Sequence, residues 1–237
     1  MEKKEQLYEG KAKKVFATEN PELLIVQYKD DATAFNGLKK GTITGKGIIN
    51  NQMSNRLMSM LEKNGVPTHY VQELSQRETL VKKVQIVPLE VIVRNIAAGS
   101  FSKRYGVEEG VVFDKPTIEF SYKNDELGDP LLNTYHALAL KLASEAEIAL
   151  IETYSFRVNE LLKAFWASCG VTLVDFKLEF GRLADGTIVL ADEISPDTSR
   201  LWDSVTHEKL DKDRFRRDMG GVEEAYAEIM RRLEEHL

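Results

Sequence analysis

Between Leu173 and Phe180 the chain reads Leu-Val-Asp-Phe-Lys-Leu-Glu-Phe, so that from Val174 onward apolar and charged residues alternate. Successive side chains of a strand point to opposite faces, which makes this a β-strand with Asp175, Lys177 and Glu179 on one face. Asp185-Gly186 follows as the signal of a tight hairpin turn of type I′. A two-residue loop at that pair, or a four-residue loop centred on it, places Glu179 directly opposite Asp192, on the same face of the sheet. Opposed carboxylates repel in the metal-free protein, and a hard dication with oxygen ligands is a natural compensation. Glu179 and Asp192 are therefore candidate Mg²⁺ ligands. A solvated strand face neutralised by Lys177 is the other reading of the same pattern.

The rest of the chain reads as an α+β fold with mixed or antiparallel sheets. Leu7-Tyr8-Glu9, Lys13 to Phe16 and Leu23 to Tyr28 are short antiparallel strands, and the glycines at 37, 41, 45 and 47 in the stretch Asn36 to Gly47 divide two packing units. Ile48, Ile49, Met53, Leu57, Met60 and Leu61 then recur at helical spacing until Asn64-Gly65. Leu80 to Val87 and Leu89 to Val93 are strand-like runs separated by Pro88, which cannot donate a ladder hydrogen bond and so marks a hinge. The expected division is a β-rich N-terminal lobe, residues 1–88, and a larger α+β lobe, residues 89–237. In the second lobe Ser144 opens a long helix that ends at Gly170, and an amphipathic helix runs from Val222 to the terminus.

With 237 residues, 43% hydrophobic and 30% charged, the chain can bury a core without disulfides, and the single cysteine, Cys169, reads as a buried structural thiol. A net charge of −6 gives no positive field to attract nucleic acid, so an anionic ligand must be held by local cations. His69, His136, His207 and His236 lack metal-ligand spacing and read as packing or surface residues. No apolar run approaches the roughly 18 residues of a membrane span, which points to a cytoplasmic protein with no membrane partner.

Several cationic segments could supply the local charge. Gly10-Lys11-Ala12-Lys13 sits at a strand-to-strand turn, where glycine lets backbone approach a phosphate. Arg94 precedes Ala98-Gly99-Ser100, with Ser100 a candidate helix N-cap. Arg200 follows the turn-rich Ser195-Pro196-Asp197-Thr198-Ser199, and Lys212 and Arg216 share a helical face. Taken alone, the Gly-Lys turn, the Arg94–Ser100 segment and the Lys212–Arg216 pair are more often ordinary caps or surface charge, and the polar loop from Lys123 to Pro130 is as easily a plain connection.

Taken together and in this order, Gly10 to Lys13, Val93-Arg94-Asn95 with Ala98 to Ser100, Val174 to Gly181, and Ser195 to Asp203 resemble the phosphoribosylaminoimidazole-succinocarboxamide synthases, in their short bacterial single-function form. The resemblance runs from Leu7 to Tyr226. It implies an ATP-dependent ligase of purine biosynthesis that joins L-aspartate to the carboxylated aminoimidazole ribotide CAIR, with ATP held between two lobes as in protein kinases and ATP-grasp enzymes. It implies ATP contacts from Gly10, Lys11, Ala12, Lys13, Lys82 and the backbone around Gln85 to Val87, and Mg²⁺ on Glu179 and Asp192. Catalytic roles would fall to Lys11, Lys177, Glu179 and Asp192. The ribotide would meet Glu90, Arg94, Ser100, Asp175, Lys177, Ser199 and Arg200, while Lys123, Asp129, Lys212 and Arg216 would serve its carboxylate end and aspartate. A homodimer is also implied. A small-molecule kinase and a non-catalytic nucleotide-binding regulator are the competing readings.

Overall fold

The computed structural model describes residues 1–35 and 37–237; Asn36, which opens the glycine-rich stretch, lies outside the described residues. Strands β1 (Gln6–Glu9), β2 (Lys13–Ala17) and β3 (Leu23–Tyr28) form an antiparallel meander, followed by a separate hairpin of β4 (Asp31–Ala34) and β5 (Lys39–Thr42). Helix α1 (Lys46–Lys63) leads to β6 (Tyr70–Ser75) and β7 (Glu78–Lys82), which complete a five-stranded sheet in the order β1-β2-β3-β7-β6. The chain then crosses at Lys83-Val84 into a six-stranded sheet. It contributes β8 (Gln85–Ile96), α2 (Gly99–Tyr105), β9 (Val112–Tyr122), β10 (Leu131–Leu132), α3 (Thr134–Ala139), α4 (Glu145–Ser168), β11 (Val171–Arg182), β12 (Ile188–Ala191), β13 (Ser199–Asp203), α5 (Asp213–Arg216) and α6 (Val222–Glu234). Its order is β10-β9-β8-β11-β12, with β13 also paired to β11. The pairings between these strands are antiparallel, so the class is α+β, as expected. No helix among the described residues is long and apolar enough to cross a membrane.

The long helices form where the pattern places them. Ser144 caps α4 in a reciprocal box: Glu147 N donates to its hydroxyl, and the Glu147 carboxylate accepts from Ser144 N at 2.7 Å. Ile148, Ile151, Val158, Leu162 and Trp166 form the buried stripe, and Gly170 leaves the helix at φ +68°. Glu147 also holds Arg182 at the end of β11, so the cap ties helix to sheet. Ser144→Ala should cost about 1 kcal/mol. In a chain of this length that lowers the melting temperature by roughly 2–4 °C, measurable by circular dichroism; an unchanged melt would show the cap to be inert.

Two expectations need correction. Pro88 does not separate two strands, because β8 runs through it. The ladder between β8 and β11 shifts between Glu179 opposite Glu90 and Gly181 opposite Ile86, and Pro88 sits in that irregular stretch, where no ladder N–H is required. The hairpin is also one residue out of the expected register: Glu179 opposes Ala191 and Arg182 opposes Ile188. Of the turn pair only Gly186 takes a positive φ, +86°, and Leu183 N donates to Thr187 O at 2.9 Å, leaving a three-residue loop. A one-residue slip sends a side chain to the other face. Asp192 returns because its own φ is +57°, a left-handed conformation that aspartate tolerates and that ends the pairing.

Candidate active site

A cleft of about 820 Å³ is walled by both sheets. Its apolar end is a slot between Val15 on β2, Leu24 and Val26 on β3, Val81 on β7 and Ile86 on β8. Gly10, Lys11, Ala12 and Lys13 line the adjoining rim, where Gly10 N donates to Lys13 O at 2.8 Å and closes the β1–β2 turn. Lys11 Nζ reaches across to Asp125 at 2.8 Å, and Lys82, also on the wall, donates to Thr68 O at 3.0 Å. The side chains of Gln85 and Val87 are not on the wall: Val87 is packed in the core and Gln85 is exposed, because strand alternation turns only Ile86 inward between them.

The charged face of β11 forms the floor. Glu90 on β8 is the carboxylate that opposes Glu179, and Lys177 bridges the two, with 2.7 Å to each. Lys123 adds a second ammonium 3.0 Å from Glu179. Burial lowers Lys177, but Glu179, Asp192 and Glu90 outweigh it and hold the ammonium well above its ordinary pKa. Asp192 lines the same cleft and pairs with Lys13; burial would raise its pKa, yet Lys13 and Lys177 keep it well below the usual carboxylate range. Next to it Glu193 is pushed up by burial, lies 3.5 Å from Lys13, and keeps Oε2 without a hydrogen-bond partner. His69 stands in this wall too, pushed down to about 4 by burial and Lys13, and is therefore neutral near pH 7.

At the far end Arg94 and Arg200 converge on Asp175. Arg94 Nη1 contacts Asp175 while its Nη2 donates to Ser100 Oγ and Glu119, each at 3.1 Å. Arg200 places Nη1 on Asp175 at 2.9 Å and Nε on Asp213 at 2.8 Å. Ser100 is not the helix cap: Ala98 holds that position, and Ser100 lies inside α2 and off the cleft wall, touching the site through Arg94. Gly99 is required as glycine, since it sits at φ +54° and a Cβ there would lie 2.2 Å from Arg200 Nη2.

Lys212 and Arg216 do come together on the wall, as their spacing implies, and Asp197 gathers them: Lys212 Nζ meets Asp197 Oδ2 at 3.0 Å and Arg216 donates to Asp197 O at 3.3 Å. Ser199 and Asp129 also line the cleft; Asp129 accepts from Asn124 N at 2.9 Å and shapes the loop that carries Lys123. The cleft residues not anticipated from sequence are mainly His69, Asp125, Glu193 and Asp197. Glu193 directly follows Asp192, Asp197 lies within the turn-rich Ser195 to Ser199 segment and Asp125 within the polar loop from Lys123 to Pro130, whereas His69 carries no pattern that marks it.

The arrangement is an apolar slot, a lysine-ringed carboxylate floor and an arginine-rich end, in one continuous cleft. The family model for SAICAR synthetase matches residues 6–233. A phosphoribosylaminoimidazole-succinocarboxamide synthase from Lachnoclostridium phytofermentans is 64% identical, over 98% of this chain and 99% of its own length. The crystal structure of the synthase of that name from Ehrlichia chaffeensis superposes with a TM-score of 0.95 at 48% identity, covering 97% of this chain and 98% of that one. A SAICAR synthetase solved in complex with ADP superposes at 0.93 with 50% identity, covering 95% and 96%. With the whole cleft inside the matched span and the architecture shared end to end, the chain belongs to the SAICAR synthetase family.

Proposed function

We propose that the cleft ligates L-aspartate to CAIR at the expense of ATP, yielding SAICAR, ADP and phosphate. The observation that carries this reading is the continuity of the three zones, since an apolar slot suited to a flat base, a set of lysines and an arginine pair suited to a second phosphate lie in one cavity. The relative solved with ADP supports the nucleotide end. ATP would lie in the slot between two lobes, in the manner of protein kinases and ATP-grasp enzymes, with Lys11, Lys13 and Lys123 facing its phosphates.

Mg²⁺ fits the donor set. Glu179 and Asp192 offer hard carboxylate oxygens, Glu193 Oε2 accepts no hydrogen bond and lies 3.5 Å from Lys13, and among the described residues no three metal-ligating side chains form a closed site. A dication held by one or two carboxylates and completed by substrate phosphates suits that set. Glu179 and Asp192 would hold it, and when bound it supplies charge neutralisation to the phosphates.

The protein's own residues then position and neutralise. Arg94 and Arg200, oriented by Asp175, Glu119 and Asp213, would grip the ribotide phosphate; Lys177 would sit by the carboxylate that accepts the γ-phosphoryl group. The carboxylate oxygen bonds to phosphorus as the bond to ADP breaks. The aspartate amine next attacks the acyl carbon, the carbon–oxygen bond to phosphate breaks, and the amine proton leaves. Because three anionic partners share the cleft, most of the acceleration comes from orientation and electrostatics.

A coupled ADP-release assay tests the reading. ADP, phosphate and SAICAR should appear one for one only with ATP, Mg²⁺, CAIR and L-aspartate all present. Equal ADP release without aspartate would make this a kinase, and ATP binding without turnover a regulator. A cytoplasmic homodimer completes the proposal, for which light scattering showing a monomer at assay concentration would remove the second part.

A further inference from the structure

Lys46 is the first residue of α1 and its side chain is completely buried, although no acidic residue occupies the first turn of that helix. A cation at a helix N-terminus faces the positive end of the dipole, and a buried ammonium is costly unless paired, so its place needs a specific cause. That cause is Asp197, whose Oδ2 lies 3.0 Å from Lys46 Nζ. The same oxygen receives Lys212 Nζ at 3.0 Å from the cleft side, and Tyr226 donates its hydroxyl to Oδ1 at 2.7 Å. One carboxylate is thus shared between a lysine below the cleft and a lysine on its wall. The helix is fixed in this position by a second contact about two turns further on, where Ser54 Oγ accepts from Ile194 N at 2.7 Å.

We propose that Lys46 is a positioning residue for L-aspartate: by neutralising Asp197 from beneath, it leaves the Lys212 charge free to meet a carboxylate of the incoming amino acid. This rests on the ligase reading above. With Lys46 present, one negative charge faces two positive ones and the cleft keeps a surplus cation; without it, Asp197 and Lys212 form a closed pair. A dicarboxylate substrate distinguishes the two states, whereas ATP, held at the other end, does not.

Steady-state kinetics on Lys46→Met, varying L-aspartate and ATP separately, decide the matter. The aspartate KM should rise about tenfold, which corresponds to ~1.4 kcal/mol, with the ATP KM within about twofold of the parent. Lys46→Met/Asp197→Asn removes both members of the buried pair and releases Lys212 from its carboxylate, and so restores the surplus cation from the other side. It should regain most of the aspartate affinity lost in the single variant, or, where the single variant does not fold, show an aspartate KM within about threefold of the parent. An unchanged aspartate KM, an equal rise for ATP, or a double variant no better than the single overturns the proposal. If the parent enzyme consumes no aspartate, it is the ligase reading that falls instead.

Discussion

Asp192→Asn is expected to lower turnover by roughly a hundredfold or more, the scale of losing one preorganised electrostatic contact at a reacting phosphate. It should also lower the melting temperature of the ligand-free protein. The hairpin register expected from sequence argues the reverse, because two directly opposed carboxylates would be relieved by the change. In the structure Asp192 instead faces cations: Lys13 pairs with it and Lys177 acts on it, so its folded pKa lies well below the usual value despite burial. A depressed carboxylate pKa means that the anion stabilises the fold, a contribution present at neutral pH and lost only as pH falls through the acid range. Removing the charge leaves Lys13 beside a neutral amide, with only the longer 3.5 Å contact to Glu193. Melting scans with and without Mg·ATP give the second readout, since a ligand at 100 times its dissociation constant adds ~2.7 kcal/mol when it binds only the folded state. That increment should shrink in the variant. An Asp192→Asn protein that keeps both the full increment and near-normal turnover would reduce these carboxylates to a charged strand face.

The error in register and the partial success of its conclusion have one physical origin. Alternation on β11 was legible because a strand with one apolar face must repeat every second residue, and it correctly set Asp175, Lys177 and Glu179 together. The loop length was not legible, since Asp185-Gly186 serves equally a two-residue turn and a three-residue loop with glycine in the left-handed position. Asp192 reaches the cleft through its own positive φ, which no propensity announces. The real opposed carboxylate, Glu90, lies on a strand whose alternation is masked by Ile92, an apolar residue on the polar face. Pro88 misled because proline is excluded from regular ladders but accepted where a ladder shifts. The helices were readable because caps and stripes are local, as Ser144 with Glu147 shows. His69, Asp125 and the Lys46–Asp197 pair were not, because their meaning arises only from residues brought together across long stretches of chain.

Arg200→Lys should weaken the ribotide 10- to 100-fold, about 1.4–2.8 kcal/mol, while ATP binding stays within about twofold. The guanidinium spans two carboxylates, with Nε on Asp213 and Nη1 on Asp175, and it lies so close to Gly99 that a Cβ there would sit 2.2 Å from Nη2. A single ammonium cannot hold both partners at once, so lysine would follow one of them and leave the other to repel an incoming phosphate. The close approach at Gly99 adds a second handle, because a methyl group there would collide with Nη2. Gly99→Ala should therefore reproduce the ribotide defect without touching any charge, and Gly99→Ala/Arg200→Lys should be less than additive, since both act through the placement of one guanidinium. Isothermal titrations with ribotide and with ATP, alongside melts of each variant, separate this from unfolding. Equal loss of both ligands would assign Arg200 to the scaffold, and full additivity of the two substitutions would show that Gly99 serves some purpose other than seating the arginine.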